Sequence, residues 1–95
     1  MTQSHSPIPA LLPEKVAIVT GASRGLGAEI AKQMAAAGAL VCVNYLNSKQ
    51  AADQVVADII AADGKAFSYQ ADVTELEQVQ AMVAEVVTRY GRIDI

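Results

Sequence analysis

The 95-residue chain is long enough for one small domain and little more. Apolar residues make up 53% of it and aromatic residues 4%, which indicates a packed aliphatic core and excludes a disordered tail. A net charge of −3 lacks the basic excess of a nucleic-acid-binding protein. The single cysteine, Cys42, cannot form an internal disulfide, and with the lone His5 it makes no metal site. These features favour a reducing, cytoplasmic compartment.

The N-terminal residues differ in texture from the rest of the chain. Residues 1–13 contain Pro7, Pro9 and Pro13, and they lack the basic and apolar regions of a signal peptide. We therefore expect a flexible lead-in over 1–13 and one domain over 14–95. No segment reaches the roughly 18 apolar residues of a membrane span, so no membrane association is expected.

The first regular unit is a strand, a turn and a helix. Residues 15–20 (KVAIVT) are apolar and β-branched, as is typical of a parallel strand buried on both faces. After a glycine-rich turn the pattern predicts a helix that begins near Gly25 and ends at Gly38. The predicted buried stripe of this helix comprises Leu26, Ile30 and Met34, with Ala31 and Ala35 beside them.

The second unit repeats the scheme. Leu40–Tyr45 predicts another buried strand, and Asn47 or Ser48 is positioned to cap the helix that follows. Gly64 is expected to end this helix. Its predicted apolar stripe comprises Ala52, Val55, Val56, Ile59 and Ile60.

The third unit leads to the end of the chain. A short strand is predicted near 66–70, and Thr74 with Glu77 forms a capping-box signature before a helix that ends at Gly91. Its predicted apolar face comprises Leu76, Val79, Val83, Val86 and Tyr90. Residues 93–95 begin a fourth strand, in which Asp94 is expected to be a structural hydrogen-bonding residue.

The order β-α-β-α-β-α-β predicts right-handed crossovers and a parallel sheet. The fold class is therefore α/β, and the chain is expected to be the N-terminal part of a doubly wound Rossmann fold, truncated after its fourth strand begins.

The glycine-rich turn, TGASRGLG over residues 20–27, carries the chemistry. Its spacing is G-x-x-x-G-x-G, which differs from G-x-G-x-x-G and from a P-loop. Gly21 permits a tight turn, and Gly25 and Gly27 remove Cβ atoms where a pyrophosphate and the neighbouring strand come close. The helix start offers N–H groups to phosphate. The alternative is a turn used only for packing, but its position between a first strand and a first helix favours phosphate binding.

This turn, together with VCVNYLNS, ADVT and GRIDI, resembles the short-chain dehydrogenase/reductase family over nearly everything after Pro13. Within this family, the sequence most resembles NADPH-dependent 3-oxoacyl-[acyl-carrier-protein] reductases and hydroxynaphthalene reductases. The resemblance implies a dinucleotide-binding oxidoreductase that transfers a hydride to a carbonyl or from an alcohol. It assigns three sets of cofactor residues: the glycines Gly21, Gly25 and Gly27; the phosphate-lining Ser23, Arg24 and Leu26; and Asp72 with Val73 at the adenine.

The end of the second strand bears on the choice of cofactor. NAD sites place a carboxylate there for the ribose 2′-hydroxyl, but Tyr45, Asn47 and Ser48 follow here with no acid before Asp53. Arg24 in the turn can bind a 2′-phosphate. Tyr45, Asn47 and Ser48 are therefore also predicted to be cofactor residues. Together with Arg24 they favour NADPH over NADH, unless Arg24 is only a solvated turn residue and Asn47 only a cap. Asp72 also has a plainer interpretation, as a charge near a helix N-terminus.

In the family, the catalytic Ser and Tyr-x-x-x-Lys come well after the fourth strand and follow an Asn-Asn-Ala-Gly segment, and this sequence contains no such region. Tyr45 and Lys49 match Y-x-x-x-K, but they lie at a strand–helix junction and are not expected to be catalytic. The chain alone is predicted to be inactive and poorly folded; a carbonyl substrate and homo-oligomerisation belong to a full-length form. The alternative is a non-enzymatic dinucleotide-binding or degenerate protein that pairs with another chain.

Overall fold

The computed structural model describes residues 11–95, which alternate three strands with three helices. His5, Pro7 and Pro9, with most of the expected lead-in, lie outside the described residues. The elements are β1 (Val16–Val19), α1 (Gly25–Ala36), β2 (Leu40–Tyr45), α2 (Lys49–Ala61), β3 (Lys65–Gln70) and α3 (Leu76–Tyr90).

The strands form a parallel sheet in the order β1-β2-β3. Val16 pairs with Leu40 and Leu40 with Lys65, so the amino ends of the strands are in register. Helices α1 and α2 each connect two neighbouring parallel strands, as in βαβ units, whereas α3 leads from β3 across the sheet to residues 93–95 beside β1. The predicted α/β class and doubly wound topology are confirmed, and the second strand has the predicted bounds.

Residues 93–95 lie along the other edge of β1. The Ile95 N–H donates to Val16 O and the Ile18 N–H donates to Ile95 O, each at 3.0 Å, which is the bond pattern of a parallel pair. The Asp94 carboxylate accepts the Val16 N–H at 2.9 Å, confirming its structural role. The predicted fourth strand is therefore present as its first backbone pairing and not as a complete element.

Helices cover both faces of the sheet, as the continuous apolar strands require. One core cluster lies between the sheet and α1 and α2; its larger members are Val19, Val41, Val43, Tyr45, Val55 and Ile59. The second lies between the sheet and α3 and comprises Val16, Cys42, Phe67, Ala71, Met82 and Val86. Leu12 packs against the first cluster and donates its N–H to Ala37 O at 2.8 Å, so the packed region reaches back to this residue.

The predicted buried face of α1 is wrong in part. Leu26 is 77% exposed and Ile30 is 42% exposed, whereas the buried positions are Ala28, Ala31 and Ala35. Small side chains let the helix approach the sheet closely, and this gain outweighs the larger apolar area of Leu26 and Ile30.

The predicted faces of α2 and α3 need similar corrections. Ile60 is exposed on α2, and Leu76 and Val83 are exposed on α3. The side of α3 that faces the sheet is formed by Met82 and Val86. Periodicity alone does not distinguish a face that meets the sheet from an apolar stripe beside it.

Two of the predicted helix ends differ in detail. Gly38 and Gly91 have the expected positive φ, but at the end of α2 this conformation is taken by Asp63. Gly64 instead provides space, because a Cβ there would lie 2.7 Å from Cγ2 of Ile59. The capping box at Thr74 does not form, since the Thr74 hydroxyl donates to Asp72 Oδ1 at 2.6 Å.

Ser48 is the N-cap residue of α2 by position, although its side chain makes no capping bond.

Within residues 11–95, no helix combines the length and the apolarity required to cross a membrane.

Candidate nucleotide-binding site

The segments that follow β1, β2 and β3 meet at one edge of the sheet. All three strands are parallel, so their carboxyl ends point the same way. The glycine turn, residues 46–48 and residues 71–75 are therefore neighbours. In open α/β sheets this is the edge where ligands bind.

The glycine turn takes a backbone shape that side chains would oppose. Gly21 and Gly25 have φ of +59° and +61°, a region that L-residues adopt at a cost. A Cβ on Gly27 would collide with the Gly21 carbonyl oxygen and lie 3.1 Å from the Ala22 Cα. Gly27 thus allows α1 to close on the turn itself, whereas the sequence-based prediction placed it against a neighbouring strand. Around the Cβ position of Gly25, no atom of the described residues lies within 4 Å apart from those of its chain neighbours and of its own helix backbone.

Asn44 connects this turn to the rest of the edge. Its side chain is buried, with the residue 2% exposed. Oδ1 accepts the Gly21 N–H at 3.2 Å, and Nδ2 donates to Tyr69 O at 3.3 Å and to Ala71 O at 3.1 Å. The sequence-based prediction gave Asn44 no role. The available signal was one polar residue in an otherwise apolar strand, LVCVNY.

Arg24 and Ser48 meet although 24 residues separate them. A terminal guanidinium nitrogen of Arg24 donates to Ser48 Oγ at 2.8 Å. They line a shallow cavity of about 580 Å³ whose other lining residues are Asn47, Lys49, Gln50, Ala51 and Gln54. Its lining within residues 11–95 contains two cationic side chains and no carboxylate.

The first acidic residue after β2, Asp53, is held in its own contacts. Oδ2 pairs with Lys49 Nζ at 2.7 Å and Oδ1 accepts the Ser68 hydroxyl at 2.9 Å. The hydrogen bonds from Lys49 and Ser68 lower the pKa of Asp53, and the bond to Asp53 raises the pKa of Lys49. Asp53 therefore stays ionised and paired near neutral pH.

Asp72 and Val73 stand after β3 at the same edge. Asp72 Oδ1 accepts both the Thr74 hydroxyl and the Thr74 N–H, and these bonds lower the pKa of the carboxyl. The Asp72 N–H donates to Gln78 Oε1 at 2.7 Å. Val73 is 49% exposed. The loop is thus fixed by its own bonds, with an apolar side chain left at the surface.

The other predicted site residues have different environments. Ser23 is half-buried in the turn, and Leu26 is exposed on the first turn of α1. Tyr45 belongs to the core under α1 and α2 and is 6% exposed, which leaves little surface for a ligand. With Tyr45 buried and Lys49 bound to Asp53, the two form no exposed dyad. Burial raises the pKa of the Cys42 thiol to about 12, so this residue does not supply a nucleophile.

Comparison with known proteins places this architecture in a family context. A family model described as short chain dehydrogenase matches residues 15–95. An uncharacterized oxidoreductase of Methylorubrum extorquens is 52% identical over 84 residues, which is 88% of this chain and 34% of that protein. The 3-oxoacyl-[acyl-carrier-protein] reductase FabG of Staphylococcus aureus is 47% identical over 81 residues, which is 85% of this chain and 33% of the reductase.

A solved structure agrees. The short chain dehydrogenase from Burkholderia cenocepacia, in complex with NADP, superposes with a TM-score of 0.83 at 43% identity and covers 87% of this chain and 34% of its own. The chain therefore spans about one third of the length of the relatives it matches.

Proposed function

Because the chain belongs to the short-chain dehydrogenase/reductase family, we propose that residues 15–95 bind the adenosine and pyrophosphate part of a nicotinamide dinucleotide. The oxidoreductase that contains them reduces a carbonyl or oxidises an alcohol by hydride transfer. The hydride is the chemistry that the cofactor supplies. The residues of this chain bind and orient it.

NADP is the preferred cofactor in this proposal, and the Arg24–Ser48 contact is the observation that carries it. It places a cation and a hydroxyl in one cavity at the end of β2, where a carboxylate would be needed for the 2′-hydroxyl of NAD. A 2′-phosphate can take both donors, while the exposed Asn47 offers a third. The NADP complex of the Burkholderia relative is consistent with this preference.

The remaining cofactor residues follow from the turn and the β3–α3 loop. The first N–H groups of α1, from Gly25 to Gly27, face the pyrophosphate in this proposal, with Ser23 beside them. The space around Gly25 is compatible with a phosphate oxygen. Asp72 and Val73 hold the adenine. Tyr45 is left out of the set because its ring is buried.

Residues 1–95 do not reduce a carbonyl on their own in this proposal. The family's catalytic Ser and Tyr-x-x-x-Lys come after the fourth strand, and residues 1–95 include no such region, so they do not supply the general acid of carbonyl reduction. A carbonyl substrate, homo-oligomerisation and a cytoplasmic location belong to the longer protein. The second candidate is a binding module that pairs with another chain, which the exposed apolar residues Leu76, Val83 and Val87 on α3 favour.

Arg24→Ala tests the cofactor preference. Loss of a charge-assisted bond to phosphate is worth about 1.5–3 kcal/mol, so we expect NADP⁺ to bind roughly 10- to 150-fold more weakly. NAD⁺ affinity is expected to stay the same, and calorimetric titration of both cofactors measures the ratio. The matched control is Lys65→Ala, a cation lost at the amino end of β3.

The titrations use the 95-residue chain and a chimera in which residues 15–95 replace the matching segment of the Burkholderia dehydrogenase. An unchanged NADP⁺/NAD⁺ ratio in Arg24→Ala would contradict the preference for NADP. Binding of neither cofactor by the unsubstituted proteins would contradict the proposed function as a whole.

A further inference from the structure

The two loops of the proposed cofactor site have no direct connection along the chain. The glycine turn follows β1 and the Asp72 loop follows β3, with all of β2 and α2 between them. We propose that Asn44 is the positioning residue that sets the glycine turn and the Asp72 loop relative to each other. The inference rests on the proposed function, since it assigns Asn44 a part in cofactor binding.

The geometry starts where the regular pairing of β1 with β2 stops. The last paired residues are Val19 and Val43. Beyond them Asn44 makes two bonds to the start of the turn, because the Ala22 N–H donates to its main-chain oxygen at 2.8 Å and the Gly21 N–H donates to Oδ1. The side chain thus extends the β1–β2 ladder into the turn.

The side-chain amide of Asn44 also binds the start of the Asp72 loop, which follows β3. β2 and β3 pair as far as Tyr45 and Gln70, and the Ala71 N–H donates to Tyr45 O at 2.9 Å. The Ala71 carbonyl then turns to Nδ2 of Asn44. Ala71 is 2% exposed and directly precedes Asp72, so this bond fixes the point at which the loop leaves the sheet.

The chemistry of the position selects asparagine among the common side chains. One acceptor must face an N–H and two donors must face carbonyl oxygens, which is the inventory of a carboxamide. An aspartate would turn its second oxygen toward the carbonyls of Tyr69 and Ala71. An alanine would leave the Gly21 N–H and both carbonyls without this partner, and the bond lost to the Ala71 carbonyl is a buried one.

Asn44 therefore supports both loops that, in the proposed function, bind different parts of the same dinucleotide. A dinucleotide that touches both the turn and the Asp72 loop needs their spacing to be correct. Without Asn44 the loops keep their own local bonds, such as Asp72 with Thr74, but lose the bond that fixes one against the other. Cofactor affinity should therefore fall more than stability alone explains.

Asn44→Ala is compared with Val43→Ala, which removes buried volume from the same strand without removing a side-chain hydrogen bond to either loop. Both are made in the 95-residue chain and in the Burkholderia chimera, and NADP⁺ titrations are run well below the measured unfolding midpoints. Asn44→Ala is expected to weaken NADP⁺ binding about tenfold or more relative to Val43→Ala. Equal affinities in the two variants would overturn the inference.

Amide hydrogen exchange without cofactor gives a second readout. We expect the Gly21 amide to lose protection in Asn44→Ala and to keep it in Val43→Ala. In Asn44→Asp, which retains the acceptor for Gly21, protection of this amide should persist while NADP⁺ binding stays weak. Unchanged exchange of the Gly21 amide in Asn44→Ala would also overturn the inference. If no unsubstituted protein binds NADP⁺, the proposed function is wrong, but the Gly21 exchange measurement still tests whether Asn44 holds the turn.

Discussion

Two parts of the sheet differ in how fully they are bonded: the edge formed by the carboxyl ends of the strands, and the outer side of β1. At the carboxyl edge of the sheet the loops are fixed by specific polar bonds, among them those of Asn44 and the Arg24–Ser48 pair. Along the outer edge of β1 only residues 93–95 are paired, and Ile93 and Ile95 remain exposed. The contrast teaches that the proposed cofactor edge is self-contained, whereas the β1 edge is where further polypeptide would pack. The relatives, about three times longer, agree with that interpretation.

The largest expected effect comes from disturbing the self-contained edge at Gly27. Gly27→Ala places a methyl group against the Gly21 carbonyl, so the turn must move away from α1. We expect a loss of about 1–3 kcal/mol in the free energy of unfolding and loss of detectable NADP⁺ binding. Denaturant unfolding and calorimetry measure the two quantities.

Gly25→Ala serves as the comparison for this substitution. Its methyl group would meet open space in the protein alone, and its cost would be mainly the positive φ, which is about 1–2 kcal/mol. A Gly27→Ala variant as stable as Gly25→Ala, with normal cofactor binding, would show that the close approach of α1 to the turn is unimportant.

A smaller effect is expected at the β1 edge. The Val16 N–H and the Arg92 guanidinium lower the pKa of Asp94, so its ionised form is favoured in the folded state. The stability that it contributes is fully present above its ordinary pKa of 3.8 and is lost as the pH falls through the lower folded value. Asp94→Ala should therefore lower the unfolding midpoint at pH 7 and reduce the loss of stability on acidification.

Asp58→Ala is the matched control for Asp94→Ala. Asp58 also has a lowered pKa, but it pairs with Lys32 and Gln54 on an exposed surface and its removal should change little. Asp94→Ala should also leave NADP⁺ affinity unchanged wherever the protein is folded, because the β1 edge is separate from the proposed site. A loss of affinity there would contradict the independence of the two edges.

The strand positions and the glycine turn could be predicted because their signals are local. The run Leu40–Tyr45 is apolar except at Asn44, and a parallel strand buried on both faces favours such a pattern. Gly38 and Gly91 end their helices in the expected conformation, since positive φ favours glycine wherever the chain places it.

The helix faces and the role of Asn44 could not be predicted because they depend on neighbours distant in sequence. Ala31 and Ala35 face the sheet while Leu26 is exposed, and only the packed structure decides which apolar stripe is covered. Thr74 and Glu77 match a capping box, but the Thr74 hydroxyl donates its hydrogen bond to the nearby Asp72 carboxylate. The Asn44 side chain bonds residues 23 to 27 positions away, and no local pattern reports such bonds.

We expect this chain to bind a dinucleotide at the carboxyl edge of its sheet. The most direct measurement is an NADP⁺ titration followed by the amide resonances of the 95-residue chain, or of the chimera labelled in residues 15–95. The account predicts saturable shifts in residues 21–27, 47–48 and 71–73, with residues of the β1 edge unaffected. Shifts confined to other surfaces, or no shifts in either protein, would contradict it.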